Sequence, residues 1–526
     1  MEISNNIQIS QVQTNTTVKP KEQKAVNQEN NTKSIELPDI RSSQIWLPDN
    51  KIYVPQQIVL PKGSMPADFN TTNITVEVPK HYEPSEKAEK LEEALSKIFK
   101  NEKVAVYNNK KTGDVVMRMS KNNFNEDGVL DSSEVTEISA KNKTIGIKYI
   151  KDYENNTETE IIQRNPLDRR NSSILTVTTV SKDENGKMIK SEEYKKSPYL
   201  MGVFDITETD AEGNKKIIAQ TTKREDGSII MERNLVSLDG TKTHYVYETD
   251  ADEKHKKMFC QITDKDGKVL STIDRTYDKE SDTVTRSSLN GNQYKIEKNA
   301  AGIEVTDYTK GETTQIDTDK FKAKEESKAL LMLMGGRDRN FSNQEVTDVL
   351  FDTLPADTLL TLNANIKEIL PLEDDLDSAF VGTFDYLMCK TNNFVINHEL
   401  GHSKDAVHFQ EDENLLEAKP KDVIASQPEF RKLYIEEKSA FIKAFPDFEE
   451  KFISYFINSP ESKPQRGRKE TVAESNAING LQPKEPEVIA MRTIILQRYF
   501  PKTMAMLTNM MNPIAHAEQE VPQEKE

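Results

Sequence analysis

The sequence predicts an α+β multidomain protein in which an antiparallel β-hairpin repeat region precedes a mostly helical domain. Three observations carry that expectation. Between residues 165 and 315, Thr, Val, Ile and Tyr alternate with charged residues, the period-two pattern of half-buried strands. Turn glycines punctuate the same stretch: Gly186, Gly213, Gly240 and Gly267 stand 27 residues apart, and Gly291 follows after 24. After Asp317 the alternation gives way to apolar residues at helical spacing.

The elements follow in chain order. Residues 1–60 are rich in Asn, Gln, Thr and Lys without a sustained apolar period, which predicts a disordered polar leader. Its segment Ile45-Trp46-Leu47-Pro48 carries the only Trp of the chain. Residues 61–160 read as a small mixed α/β region. A helix from Ser85 places Ala88, Leu91, Leu95, Ile98 and Phe99 on one face, and strands are expected at 104–107 and 115–119. In the repeat region Asn-Gly and Asp-Gly supply the positive φ of tight hairpin turns. A 27-residue period then means one hairpin per repeat, stacked into a long meander. No aromatic ladder or basic stripe runs through it, so a spacer or scaffold role is the plain reading.

The helical domain is expected over residues 318–513. Helices are predicted over 320–334 and 355–370, with a capping box at Ser342 and Glu345. A strand is predicted over 379–388. An amphipathic helix begins at Ser426 and runs through Phe430, Leu433, Tyr434, Phe441 and Phe445. Pro446 breaks it, and Phe448, Phe452, Ile453 and Phe456 continue its apolar stripe. A last helix over 486–511 precedes a charged, disordered tail at 514–526.

Composition narrows the function classes. With 71 basic and 88 acidic residues the net charge is −17, which argues against a nucleic-acid partner because phosphate contacts need clustered Lys and Arg. No apolar run is long enough to cross a bilayer, and the first residues do not form a secretory signal. A cytoplasmic protein, or one exported by a signal-less route, is expected. Cys260 and Cys389 cannot build a disulfide framework.

Three of the seven histidines, His398, His402 and His408, fall within eleven residues. The local sequence Phe394-Val395-Ile396-Asn397-His398-Glu399-Leu400-Gly401-His402 contains His-Glu-x-x-His. On a helix, positions i and i+4 share a face, so both imidazoles reach one metal ion, while Glu399 is rotated toward the metal's water as a general base. A catalytic zinc needs a third protein ligand. Two candidates compete for it. His408 lies six residues after His402, the spacing that resembles the metzincin pattern, although that pattern wants Gly where this chain has Asp405. The other is Glu470, which shares a helix face with Glu474; one of the pair would bind zinc and the other would orient a ligating imidazole.

A second metal signal lies at 123–134. Asn123, Asn125, Asp127, Asp131 and Glu134 match the side-chain positions of an EF-hand loop, with Val129 at the carbonyl position and Gly128 at the turn. Asn123 stands where Asp is usual, so weak Ca2+ binding is expected. The structural alternative is an Asn/Asp-rich turn ending in a helix cap at Ser132 or Ser133.

The His398-Glu399-Leu400-Gly401-His402-Ser403-Lys404-Asp405 segment, the Phe430/Tyr434/Glu437/Phe441 helix, Glu470-x-x-Ala473-Glu474 and Pro501-Lys502-Thr503-Met504 together resemble the anthrax lethal factor-like zinc metallopeptidase family. The resemblance covers about residues 320–515 and none of the hairpin array. It implies a zincin-like fold, with His398, His402 and Glu470 as zinc ligands, Glu399 as the base and Glu474 behind an imidazole. Two positions depart from the family. The Tyr that precedes the ligand Glu is missing from Lys463-Pro464-Gln465-Arg466-Gly467-Arg468-Lys469, and Lys404 stands where an apolar residue is usual. Arg466 or Arg468 is the candidate replacement for that Tyr as oxyanion partner.

Two function classes result. One is a zinc endopeptidase acting on a protein or peptide, with residues 381–387 as the edge strand that pairs with an extended substrate. The other is a non-catalytic β-repeat scaffold with a calcium-binding loop and a zincin-like domain without turnover. Retention of His398, Glu399 and His402 together favours the enzyme.

Overall fold

The computed structural model describes residues 82–84, 93, 97, 103–109, 115–124, 130–139, 141, 144–166, 173–280, 284–321, 324–327, 329, 350–352, 354–371, 379–381, 386–389, 393–407, 421–445, 466–481 and 487–512. Its N-terminal part is one 18-stranded sheet, β1 (Tyr82–Pro84) to β18 (Glu312–Ile316). Every strand pairs antiparallel with its neighbours in the chain. The meander therefore follows from local reversals. At Gly213, Gly240 and Gly267 φ is +89°, +87° and +86°, a conformation that a β-carbon would strain. The Asp that opens a turn helps close it: Asp183 Oδ1 accepts from the amides of Asn185 and Lys187, and Asp264 Oδ1 from those of Asp266 and Lys268.

The array begins earlier than the sequence suggests. β6 (Thr157–Arg164) pairs directly with β7 (Ser173–Lys182), so the strands before residue 160 belong to the same sheet and no separate mixed region ends there. The EF-hand expectation fails with it. β3 (Val115–Phe124) and β4 (Leu130–Ser139) flank the candidate loop as a hairpin, where an EF-hand needs helices. Val135 and Ile138 are buried on β4, and their β-branched side chains suit the strand. Ser132 and Ser133 lie within that strand and cap no helix. Asn123 Nδ2 donates to Ser132 Oγ and Glu134 Oε1, and Glu134 pairs with Lys148 at 2.8 Å, so these groups are spent on the sheet. Asp131 is also on β4, whereas Asn125, Asp127 and Val129 lie outside the described residues.

The C-terminal part is mainly helical: α1 (Ala356–Asn365), α2 (Asn393–Asp405), α3 (Pro428–Ala444), α4 (Arg466–Ile478), α5 (Glu487–Tyr499) and α6 (Pro501–Met511). A small sheet orders β19 (Glu368–Pro371), β21 (Tyr386–Cys389) and β20 (Ala379–Val381), with β20 at an edge. Three expected boundaries move. The helix over 355–370 ends at Asn365, because Ile366 turns extended and leads into β19. The strand over 379–388 is two strands. The last helix is two helices, since Pro501 has no amide proton and displaces Phe500 from helical geometry. Residues 325–327 and 329 are helical, as expected; Ser342, Glu345, the Trp46 segment and Phe448–Phe456 lie outside the described residues. No helix among the described residues is long and apolar enough to cross a membrane.

Sheet and helices share their cores. On β11 (Ile229–Val236), Met231, Arg233 and Leu235 are buried and alternate with exposed Glu232, Asn234 and Val236. One cluster joins Phe204, Leu235 and Ile262 of the sheet to Phe394, Val472 and Ile494 of the helices. Another joins Met231, Met258 and Ile273 to Leu359, Ile396 and Leu400. Polar ties reinforce the seam. Arg275 on β14 (Val269–Lys279) grips Asp357 on α1 at 2.6 and 3.2 Å. Arg498 on α5 pairs with Glu192 and, at 2.9 Å, with Glu208, and donates to the Tyr194 hydroxyl at 3.0 Å.

Two predictions follow from this packing. Arg498→Met strands two partly buried carboxylates and should cost about 3 kcal/mol in urea unfolding. The strand and helix signals should disappear in one transition; two separate transitions would contradict a shared core. The second concerns Glu437 on α3, whose oxygens accept from the Lys502 and Thr503 amides at 3.0 Å each and so cap α6 from outside. Burial outweighs those bonds and raises its carboxyl from 4.5 to about 7. A raised folded value means the native state holds the extra proton. This contribution is therefore full below about 4.5 and is lost as pH rises through about 7. Glu437→Gln should flatten that slope in stability measured against pH; an unchanged slope would show that Glu437 does not set it.

Candidate metal centre

The site is built where α2 crosses α4. Gly401 makes the crossing possible. A β-carbon there would sit 2.6 Å from Ala473 Cα and 3.0 Å from Ala473 O, so only hydrogen fits between the two backbones. His398 and His402 flank Gly401 on α2, and Glu470 and Glu474 flank Ala473 on α4, each pair one turn apart. Side-chain amides hold the crossing in register. Asn476 Nδ2 donates to the Asn397 carbonyl at 2.6 Å, and Lys404 Nζ donates to Asn476 Oδ1 at 2.9 Å. From α1, Thr358 Oγ1 donates to Asn397 Oδ1 at 3.0 Å.

Four of the sequence-predicted residues converge. Glu470 Oε2 lies 3.3 Å from His398 Nε2 and 3.4 Å from His402 Nε2. The two imidazoles meet edge to face with centroids 5.0 Å apart. On the other side of the His398 ring, Nδ1 is 3.1 Å from Glu474 Oε2. The ligand atoms of His398, His402 and Glu470 all lie within 4.8 Å of one another, and this group can hold a metal ion. It is the one such group among the described residues. His398 is buried, whereas His402 is 21% exposed, so the opening to solvent is on the His402 side.

The electrostatics match a cation site. Burial pushes the His398 imidazole down, but Glu470 and Glu474 outweigh it and raise the ring to about 9, with a contribution from Glu399 nearby. Glu470 is buried too, yet the two imidazoles hold its carboxyl well below the usual carboxylate range. The His398 imidazole thus answers the negative charge of the two carboxylates beside it. Glu399 is buried next to His398 on α2.

Other expected residues are placed elsewhere. Arg468 is no oxyanion partner. It sits two residues, about 200°, around α4 from Glu470, and its buried Nε donates to the Ala425 carbonyl at 2.9 Å. The side chain of Arg466 and all of His408 lie outside the described residues. Sequence reading missed two supports. Asp405 Oδ1 accepts from the Ala425 amide at 2.8 Å, tying the end of α2 to the chain that leads into α3. Arg492 on α5 lies with Nε 3.2 Å from Glu474 Oε1. The only signal for it was an arginine within the apolar run Val488-Ile489-Ala490-Met491, weak evidence without coordinates.

No family model matches the chain, and no curated protein matches it.

Gly401→Ala tests the crossing. The added methyl must push α4 away, which should cost about 1–3 kcal/mol and separate Glu470 from the imidazoles. Calorimetry and metal stoichiometry should fall together; a variant with native metal content would contradict the close crossing.

Proposed function

We propose that the protein is a zinc-dependent metalloendopeptidase with a zincin-like domain of the lethal factor-like type, hydrolysing peptide bonds of a protein substrate. The observation that carries this reading is the separation of the ligand atoms. Tetrahedral zinc with bonds of about 2.05 Å requires ligands about 3.3 Å apart along each edge. Two of the three edges of the group, Glu470–His398 and Glu470–His402, are 3.3 and 3.4 Å, and all three ligand atoms lie within 4.8 Å of one another. The donor set, two imidazoles and one carboxylate, is the kind that leaves a fourth position open in catalytic zinc sites.

When bound, zinc supplies Lewis acidity toward a carbonyl and lowers the pKa of water. The remaining steps belong to the chain. Glu399, one residue from His398 and outside the ligand group, takes the proton of the attacking water and returns it to the leaving amine. Glu474 Oε2, 3.1 Å from the other nitrogen of His398, would keep Nε2 turned toward a bound ion. β20, an edge of the small sheet among the described residues and in contact with α2, is the strand along which an extended peptide would pair.

Glu399→Gln and Glu470→Ala separate metal binding from turnover. Wild type and Glu399→Gln, purified without added metal, should each carry stoichiometric zinc by mass spectrometry, and Glu470→Ala should lose it. Cleavage of an unfolded protein substrate should fall at least about 10²-fold in Glu399→Gln. Undiminished cleavage by that variant would sink the mechanism, and a metal-free wild type would sink the zinc site.

A further inference from the structure

We infer that Arg492 is a positioning residue of the metal site: held against Glu474 from α5, it fixes the carboxylate that selects the metal-binding tautomer of His398. The inference rests on the zinc reading above and goes beyond it, because Arg492 is not a member of the ligand group.

Both ring nitrogens of His398 face carboxylates, Nε2 toward Glu470 at 3.3 Å and Nδ1 toward Glu474 at 3.1 Å. A neutral imidazole has one N–H and one lone pair. To bind a metal through Nε2, the ring must carry its proton on Nδ1, and whatever accepts there decides the tautomer. Glu474 Oε2 is the group that faces Nδ1, at 3.1 Å, and the carboxylate is wholly buried, with neither oxygen reached by solvent. A buried carboxylate needs compensating charge. Arg492 supplies it from the opposite side: Nε stands 3.2 Å from Oε1 while Oε2 faces His398. The carboxylate thus lies between a permanent cation and the ring, with one oxygen toward each. Glu470 and Glu474, one turn apart on α4, face different nitrogens of the same imidazole. A lysine would keep the charge but not the flat guanidinium that fixes the carboxylate plane.

A simple tether between α4 and α5 would also place Arg492 here, and a thermodynamic cycle separates the two roles. Zinc affinity is measured by competition with a chromophoric chelator for wild type, Arg492→Met, Arg492→Lys, Glu474→Gln and the double variant Arg492→Met/Glu474→Gln. Calorimetry of each metal-free protein accompanies it. Arg492→Met should weaken zinc by about 10–100-fold, the range for lost outer partners of metal ligands. Arg492→Lys should recover part of that loss. In the Glu474→Gln background, with no carboxylate left to orient, removing Arg492 should change affinity by less than about 3-fold. Unchanged zinc affinity in a folded Arg492→Met protein, or losses that add in the double variant, would overturn the positioning role and leave a tether. If Arg492→Met does not fold, Arg492→Lys and Glu474→Gln with their double variant complete the same cycle. A wild type that binds no zinc overturns the metal reading itself, and this inference with it.

Discussion

The approach of two helix backbones at Gly401 and Ala473 is the constraint on which the rest of the site depends. Wherever a side chain larger than hydrogen stood at 401, the helices would part, because the nearest obstacle is the backbone of Ala473 and backbone cannot rotate aside. Close contact alone would leave the register free. Asn397, Asn476 and Lys404 remove that freedom, since each bond forms at only one axial offset of α2 against α4. At that offset one oxygen of Glu470 stands nearly equidistant from two imidazole nitrogens. The geometry of the ligand group is thus a consequence of how two helices pack, and no loop is needed to assemble it.

The hairpin array provides the floor on which those helices rest. Ile396 and Leu400, on the side of α2 away from the imidazoles, pack in the same cluster as Met258 and Ile273 of the sheet. Burying an aliphatic side chain of this size contributes about 1.5–3 kcal/mol, and the sheet offers a continuous row of such contacts. Its exposed face has no comparable partner on β11, where Glu232 and Asn234 face solvent. The array thus supports its own helices. The Arg275–Asp357 and Arg498–Glu208 ties join residues 82 and 290 positions apart in the chain, so the floor and the site are stabilised together.

Legibility in the sequence divided along the range of the interactions involved. The hairpins were readable because each Asp-Gly or Asn-Gly reversal is settled within five residues. His398, Glu399 and His402 were readable because one helical turn fixes their relation. Glu470 and Glu474 needed the resemblance to a known pattern, since nothing local relates them to a histidine some seventy positions earlier. The EF-hand reading failed for a related reason. Asn123, Asp131 and Glu134 satisfy a spacing rule, but flanking residues such as Val135 and Ile138 prefer a strand, and a spacing rule does not register that preference. Arg492 was out of reach, because its partner Glu474 is set by the packing of α5 on α4, a contact with no periodic signature.

The interior of the α2–α4 crossing is more polar than helix packing alone would select. Asn393, Asn397, His398, Glu399, Ser403 and Asp405 are buried on α2, as are Glu474, Ser475 and Asn476 on α4. Leucine and alanine would fill that volume without desolvating a single hydrogen-bonding group, and each buried group left unsatisfied costs about 1–3 kcal/mol. Some of these groups are accounted for by the amide bonds that set the register. Glu399 and the Glu470–Glu474 pair are not explained in that way: they concentrate negative charge beside imidazoles, where an apolar seam would hold the helices as well. Polar groups kept in a core against the local packing preference tend to mark functional sites. Here the surplus is carboxylate and imidazole, the chemistry that a divalent cation balances, and its most accessible member, His402, lies toward solvent. A purely structural helix pair would have no use for that arrangement, which is why the metal-binding reading accounts for more of the interior than the scaffold reading does.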